Sequence, residues 1–138
     1  MQEKEKVLVV DDEAMICGLL NEFLTLEGYQ VAIACSGEEA LSYAEREKPH
    51  IVLLDIKMPG MNGLDILARI RKANKDTKII IMTGEDTPKL FTEAKALGAD
   101  YCILKPFKLE NLKRFLASGK EHYGEDSQKI RGLGVEEG

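Results

Sequence analysis

The amino-acid sequence lacks a long hydrophobic run. No apolar stretch in the chain approaches the roughly 20 residues that a membrane-spanning helix needs. The first six residues also lack the order, a charged segment followed by an apolar one, that is typical of a signal peptide. These two absences predict a cytoplasmic protein that does not contact a membrane.

Positive charge is scarce relative to negative charge. The chain has 19 lysine and arginine residues against 24 aspartate and glutamate residues, which gives a net charge of -5. Proteins that bind nucleic acids usually carry a basic face, so we expect no nucleic-acid contact by this domain. A partner or a further domain would have to supply any such role.

Cysteine and histidine are also scarce. Cys17, Cys35 and Cys102 are an odd number without a C-x-x-C pair, and each lies inside an apolar segment. This pattern predicts small buried core residues rather than disulfides or metal ligands. His50 and His122 have no neighbouring cluster of metal-binding or catalytic residues, and we assign no role to either.

Five short apolar runs alternate with segments of helical periodicity. A βα unit repeated five times predicts an α/β fold with a parallel sheet and helices on both faces. Right-handed crossovers favour the flavodoxin-like (βα)5 doubly wound sheet with strand order 2-1-3-4-5 and the second strand at an edge. The predicted strands cover residues 6–10, 29–35, 51–54, 78–82 and 101–104.

Helix start signals support this division. Ser36 has the S-x-x-E spacing of a capping box, Asn62 can cap the third helix, and Thr87 precedes a proline that suits the first turn of the fourth.

The length of 138 residues suits a single domain with a sizeable core. From about Gly119 the sequence is polar and rich in glycine, with little apolar periodicity. We therefore predict one domain over residues 1–118. Residues 119–138 would be a polar linker, a tail or an artificially added end.

Polar side chains follow the central strands at the point where each predicted strand ends. The carboxyl ends of parallel strands meet at one edge of an open sheet, where such folds bind ligands. Three carboxylates there would repel one another by at least about 1 kcal/mol per pair at about 4 Å, even in water. Mg²⁺ would relieve this repulsion, because it prefers oxygen ligands and needs few from the protein. The residues are Asp11, Asp12, Asp55, Thr83 and Lys105.

The same groups suit phosphoryl transfer to an aspartate. Asp55 would attack in line to form an acyl phosphate, while a cation, Lys105 and Thr83 would hold the phosphoryl oxygens. Each residue taken alone has an ordinary explanation, such as a turn-forming role for Asp55. Their joint placement at matching strand ends favours the functional interpretation.

The motifs that contain these residues resemble the signature of response-regulator receiver domains of two-component signalling, over roughly residues 5–118. The resemblance implies that Asp55 is the phosphoacceptor and that Thr83 and Lys105 bind the phosphoryl group. It also implies that Asp12, Asp55 and the backbone carbonyl of Lys57 bind Mg²⁺ directly, that Asp11 does so through water, and that the Lys105-Pro106 peptide is cis. The motifs are Val10-Asp-Asp-Glu13, Asp55-x-x-Met-Pro-Gly-Met-Asn-Gly63, Thr83-Gly84 and Lys105-Pro-Phe107.

The resemblance further implies a phosphorylation-dependent switch that assists only its own phosphorylation and dephosphorylation, and is otherwise not an enzyme. A sensor histidine kinase or a phosphotransfer protein would donate the phosphoryl group. The surface formed by the fourth helix, fifth strand and fifth helix would then present the change to an output domain or partner protein. A phosphorylation-linked dimer is one form that this output could take.

One position departs from the family pattern. Receivers commonly carry Tyr or Phe three residues before the fifth-strand lysine, and this chain has Cys102 there. Tyr101 lies one residue earlier, and strand alternation points it to the opposite face of the sheet. We therefore expect a conformational signal to run through the loop after the fourth strand and the fourth helix, without a buried aromatic switch.

Lys57 and Glu85 lie two residues after Asp55 and Thr83, so they should flank the mouth of the site. We expect these opposite charges to pair and to screen the acyl phosphate from water. The effect should be small, because an exposed ion pair contributes only about 0 to 1 kcal/mol.

Three other functions deserve comparison with the switch. A phosphatase of the haloacid dehalogenase type needs a second aspartate two residues after the nucleophile, and Lys57 occupies that position. A flavin-binding module needs a first loop that can wrap a phosphate, which the acidic Asp11 and Asp12 would repel. A degenerate receiver that only binds partners would not need all five site residues.

Overall fold

A computed structural model describes residues 3–118, in which five strands alternate with five helices. The tail predicted over residues 119–138 lies outside the described residues. The strands are β1 Lys6–Val10, β2 Gln30–Ala34, β3 Ile51–Asp55, β4 Lys78–Thr83 and β5 Tyr101–Leu104. The helices are α1 Ala14–Leu26, α2 Gly37–Glu47, α3 Gly63–Ala73, α4 Pro88–Ala96 and α5 Leu109–Ala117.

The strands form one parallel sheet in the order β2-β1-β3-β4-β5. This order confirms the predicted flavodoxin-like topology, with β2 at one edge. Val10 pairs with Leu54, and Asp55 pairs with Met82. The residues that follow β1, β3 and β4 therefore lie at the same level on one edge of the sheet.

Both faces of the central strands are covered. Val7 and Val9 of β1 pack with α1 and α5, whereas Leu8 and Val10 pack with α2, α3 and α4. Strands β3 and β4 are buried along their whole length. The sequence pattern follows from this geometry, because a strand buried on both faces has no polar alternation.

The predicted helix caps are confirmed. The side chains of Ser36, Asn62 and Thr87 each accept a hydrogen bond from a backbone N–H in the first turn of α2, α3 and α4. The capping box of α2 departs from the usual form by one residue. The Glu39 carboxylate accepts from the backbone N–H of Cys35 at 2.7 Å, whereas in a capping box it would accept from the N–H of the cap residue Ser36.

Gly63 allows the loop after Asp55 to fold back onto the end of β3. A Cβ atom at this position would lie 2.3 Å from the carbonyl oxygen of Ile56, which is closer than real contacts permit. The start of α3 can therefore lie against the strand only with glycine at residue 63.

The expectation that all three cysteines are buried is wrong for one of them. Cys17 and Cys102 are buried, and Cys35 is exposed. The edge strand β2 ends at Ala34, so Cys35 lies in the bend that follows it instead of on a covered strand.

The helices of residues 3–118 are short, and α1 has 13 residues. None of them combines the length and the hydropathy that crossing a lipid bilayer would require.

At the amino-terminal ends of the strands, Arg71 of α3 joins the beginnings of β4 and β5. Its Nε and Nη2 donate to the carbonyl oxygen of Gly98 at 3.1 and 2.8 Å, and Nη2 also donates to Asp100 at 3.0 Å. The same Asp100 oxygen accepts the backbone N–H of Ile79 at 2.9 Å. Since the Asp100 side chain is only 5% exposed, its charge depends on these partners.

We predict that Arg71→Met lowers the free energy of unfolding by roughly 2 to 4 kcal/mol, because it leaves the buried Asp100 charge without its guanidinium partner. Urea unfolding followed by circular dichroism measures this change. Arg69→Met on the same helix is the matched control. Its ion pair with Asp65 is exposed, so its loss should cost less than about 0.5 kcal/mol. Equal effects of the two substitutions would contradict the assignment.

Candidate functional site at the carboxyl edge of the sheet

Asp55 is the last residue of β3, and its carboxylate points into the edge where the strands end. The residue is only 5% exposed. Its Oδ1 accepts the backbone N–H of Lys57 at 3.1 Å, and its Oδ2 lies 3.4 Å from Nζ of Lys105. One carboxylate oxygen is thus fixed by the following loop, and the other faces a lysine ammonium group.

Asp11 follows β1 and is fully buried. Its backbone N–H donates to the carbonyl oxygen of Ala34, and its own carbonyl oxygen accepts the thiol of Cys17 at 3.2 Å. Its Oδ1 accepts the backbone N–H of Glu13 at 3.0 Å. These contacts fix the turn after β1 and hold the carboxylate toward Asp55.

Asp11, Asp12 and Asp55 together form an acidic cluster. One oxygen from each carboxylate lies within 4.8 Å of the others, and Asp12 is the exposed member. An all-oxygen set with excess negative charge fits a hard divalent cation such as Mg²⁺. The three aspartates that the sequence predicts as metal ligands are therefore brought together.

Lys105, which follows β5, is the cation that contacts this cluster. Its Nζ lies 2.9 Å from Asp11, 3.4 Å from Asp55 and 3.4 Å from Oε1 of Glu13. Burial alone would lower the pKa of Lys105, but the hydrogen bond to Asp11 and the charges of Asp55 and Asp11 outweigh burial and raise it. The amine is therefore held in its charged form.

The pKa of Asp55 is raised, chiefly because burial disfavours the charged carboxylate. The N–H of Lys57 and the charge of Lys105 act in the opposite direction, and the charge of Asp11 adds to the rise. The opposing effects of Lys57 and Lys105 do not outweigh burial. An additional cation would stabilise the charged form of Asp55.

Thr83 ends β4 beside the lysine. It is fully buried, and its Oγ1 accepts the backbone N–H of Glu85 at 3.0 Å. The backbone N–H of Lys105 donates to the carbonyl oxygen of Thr83 at 2.7 Å. The Lys105-Pro106 peptide is cis, as the family resemblance implies.

Lys57 and Glu85 meet at the mouth of the site, with Nζ 3.3 Å from Oε1. Their side chains are 65% and 44% exposed, so water screens the pair. The pair lies at the rim of an open groove of about 720 Å³ between the loop after β3 and α4. The effect of the pair on the acyl phosphate stays a prediction.

Cys102 and Tyr101 lie on opposite faces of β5, as strand alternation predicts. Cys102 is fully buried in the core beneath α2, α3 and α4. Tyr101 is buried in the other core, where its ring lies 4.6 Å from the ring of Phe115. Tyr101 is therefore directed away from the face that holds Cys102.

Among the carboxylates of residues 3–118 that pair with Lys105, Glu13 is the one that the sequence did not identify as a site residue. The signal available was its place directly after Asp11 and Asp12. Its contact with Lys105 depends on a side-chain rotamer that spacing along the chain does not determine.

Comparison with known proteins gives consistent matches. A sequence profile of the response regulator receiver domain matches residues 7–117. Sporulation initiation phosphotransferase F of Bacillus subtilis is 41% identical over 109 residues, which cover 79% of this chain and 88% of that protein. A probable transcriptional regulator, ycf27 of Porphyridium aerugineum, is 40% identical over 116 residues, which cover 84% of this chain and 48% of the regulator. This chain thus spans about half the length of the regulator.

Solved structures show the same likeness. The chemotaxis protein CheY4 of Vibrio cholerae superimposes with a TM-score of 0.78 at 34% identity, covering 83% of this chain and 97% of that one. A CheY-like receiver domain protein of Methanospirillum hungatei gives a TM-score of 0.80 at 32% identity, covering 83% and 91%.

We predict that one of the three thiols reacts rapidly with a disulfide reagent in the native protein. Cys35 is exposed, whereas burial raises the pKa of Cys17 to about 11 and that of Cys102 to about 12. Buried thiols with such pKa values carry little thiolate at pH 8. Colorimetric titration of the native protein should find one fast thiol, which is absent in Cys35→Ser. The wild-type protein in denaturant should show three thiols. A fast thiol that persists in Cys35→Ser would refute this assignment.

Proposed function

The chain belongs to the response regulator receiver domain family, and from this premise we propose that it is a phosphorylation-dependent signalling switch. Asp55 accepts a phosphoryl group from a sensor histidine kinase or a phosphotransfer protein in a Mg²⁺-dependent reaction. The observation that carries this proposal is the contact of one lysine, Lys105, with both Asp11 and Asp55 at the edge of the sheet.

The proposed covalent step takes place at Asp55. Its Oδ2 faces Lys105 and is the oxygen placed to attack phosphorus, because Oδ1 is bound by the N–H of Lys57. The new P–O bond forms as the P–N bond of a phosphohistidine breaks, and the imidazole leaves with the bonding electron pair. The product is an aspartyl phosphate on this chain.

Lys105 and Thr83 bind the phosphoryl oxygens in this proposal. Lys105 offers a charged donor already directed at Asp55. The Thr83 hydroxyl accepts from the N–H of Glu85, which leaves its own O–H to be donated. Fixed donors of this kind stabilise the charge that develops during transfer.

Mg²⁺ would be held by the carboxylates of Asp12 and Asp55 and by the backbone carbonyl of Lys57, with Asp11 bound through water. The oxygen donor set of the acidic cluster supports this assignment. When bound, the ion neutralises charge on the phosphoryl oxygens.

The surface beside the site suits a protein donor. Met15 and Leu19 lie one turn apart on the exposed side of α1 and are 87% and 48% exposed. Met15 lies two residues after Glu13, and Leu19 lies one helical turn further along α1. A protein that brings a phosphohistidine to Asp55 would cover this end of the helix. Exposed apolar side chains next to a functional site are typical of such contacts.

The output would leave through the surface of α4, β5 and α5, toward an output domain, a partner protein or a second copy of the chain. Because the position commonly held by an aromatic residue is Cys102, we propose that the signal runs from Thr83 through the following loop to α4. The N–H of Glu85 bonded to Thr83 supports this route.

The competing functions have less support. A phosphatase of the haloacid dehalogenase type needs an aspartate two residues after the nucleophile, and Lys57 occupies that position. A flavin phosphate would meet the carboxylates of Asp11 and Asp12 where it needs neutral donors. A module that only binds partners would not need Asp55, Thr83 and Lys105 together at one site.

We predict that a small phosphodonor with Mg²⁺ adds one phosphoryl group to the protein, detected by intact-protein mass spectrometry. Asp55→Ala and removal of Mg²⁺ by a chelator should each abolish the adduct. Lys105→Met and Thr83→Ala should each slow its formation, by about 10- to 100-fold, because each removes a donor to the phosphoryl group. Lys89→Met, an exposed lysine on α4, is the control and should react at the normal rate. A persistent adduct in Asp55→Ala would refute the assignment.

We also predict that Lys57→Ala and Glu85→Ala each speed dephosphorylation, by about twofold to fivefold, because they open the mouth of the site. Loss of the adduct after removal of the donor measures the rate. Lys57→Ala keeps the backbone carbonyl proposed for Mg²⁺. Asp65→Ala and Arg69→Ala remove an equally exposed ion pair on α3 and should have no effect. Unchanged rates in both mouth variants would eliminate the screening role.

A further inference from the structure

The hydrogen-bond capacity of Lys105 is fully used in this structure. A lysine ammonium group has three N–H donors and no acceptor. Its Nζ lies within hydrogen-bond distance of three carboxylates, those of Asp11, Glu13 and Asp55. A phosphoryl group that arrives at Asp55 also needs these donors, so it competes with the carboxylates for the lysine.

Glu13 is the carboxylate that can release it at least cost. Asp11 has the shorter contact, at 2.9 Å, and is completely buried, so losing the lysine would leave its charge uncompensated. Asp55 is the residue that becomes esterified. The Glu13 side chain is 62% exposed and can turn into water, where its charge is solvated.

In the described part of the chain, the side chain of Glu13 does not cap the helix that it precedes. It occupies the N-cap position of α1, but its side chain makes no capping hydrogen bond. Its backbone N–H donates to Asp11, which is independent of the side chain. A substitution that keeps the backbone therefore changes the contact with Lys105 without removing a helix cap.

We propose that Glu13 is a positioning residue that acts through Lys105: it occupies one donor of the lysine in the unphosphorylated protein and competes with the incoming phosphoryl group for it. This inference rests on the proposed function of Asp55. Glu13 therefore slows phosphorylation, and its release accompanies formation of the aspartyl phosphate.

The test compares phosphorylation of the full chain by acetyl phosphate with Mg²⁺ at low ionic strength. Asp55 displaces acetate, which leaves with the electron pair of the broken P–O bond. Glu13→Gln keeps the size of the side chain and removes its charge, so it should raise the second-order rate constant by about threefold to fivefold, as expected for a partly exposed ion pair. The ratio of the rate constant of Glu13→Gln to that of the wild type should fall toward 1 in roughly 1 M salt, where charges are screened within about 3 Å.

Glu38→Gln is the matched control, because Glu38 is exposed in the first turn of α2 and has no contact with Lys105 in residues 3–118. It should leave the rate unchanged. A second comparison uses the Lys105→Met background, where Glu13→Gln should give no gain, since the residue acts through the lysine. A gain that persists there would mean direct repulsion of the donor and would overturn the positioning role.

The outcomes separate this inference from the proposed function. A wild-type protein that forms no adduct overturns both. A wild-type protein that is phosphorylated on Asp55, with Glu13→Gln no faster, overturns only the role of Glu13. Thermal unfolding of Glu13→Gln should match that of the wild type, and a rate gain that accompanies a markedly lower melting temperature would also count against the proposal.

Discussion

The ion pair of Lys105 with Asp11 and Asp55 is the interaction on which the carboxyl edge of the sheet depends. Two carboxylates that are 0% and 5% exposed would be costly to bury without a cation between them. Lys105 follows β5, Asp11 follows β1 and Asp55 ends β3. These contacts therefore join strands that are not all neighbours in the sheet. Because Asp11, Glu13 and Asp55 all contact one lysine, negative charge exceeds positive charge there.

The rigid core explains how this arrangement can be held. Since β1, β3 and β4 are covered on both faces, their ends have little freedom to move apart. The pairing of Val10 with Leu54 brings Asp11 to the level of Asp55. Gly63 lets the loop after Asp55 return against β3. The chemistry therefore lies on short loops whose starting points are fixed by packed strands.

Much of this could be predicted from the sequence because it depends on periodicity and spacing. Unbroken apolar runs predict buried parallel strands, and the separations of Asp11, Asp55 and Lys105 along the chain then place them at one edge. Exposure of Cys35 was not predictable in this way, because it depends on where an edge strand ends. The contacts of Arg71 with Gly98 and of Glu13 with Lys105 join side chains through rotamers and loop geometry, which local patterns do not encode.

The contacts around Thr83 support the proposal of a switch that does not use an aromatic residue at position 102. The N–H of Lys57 holds Asp55, the Lys57 amine pairs with Glu85, and the N–H of Glu85 bonds to Thr83. A shift of Thr83 toward a phosphoryl group would therefore disturb Glu85 and the loop that leads into α4. Cys102 is too small to fill or vacate the volume of an aromatic ring, and Tyr101 packs on the opposite face. These contacts support the proposal that displacement of the β4–α4 loop is the change that α4 presents to a partner.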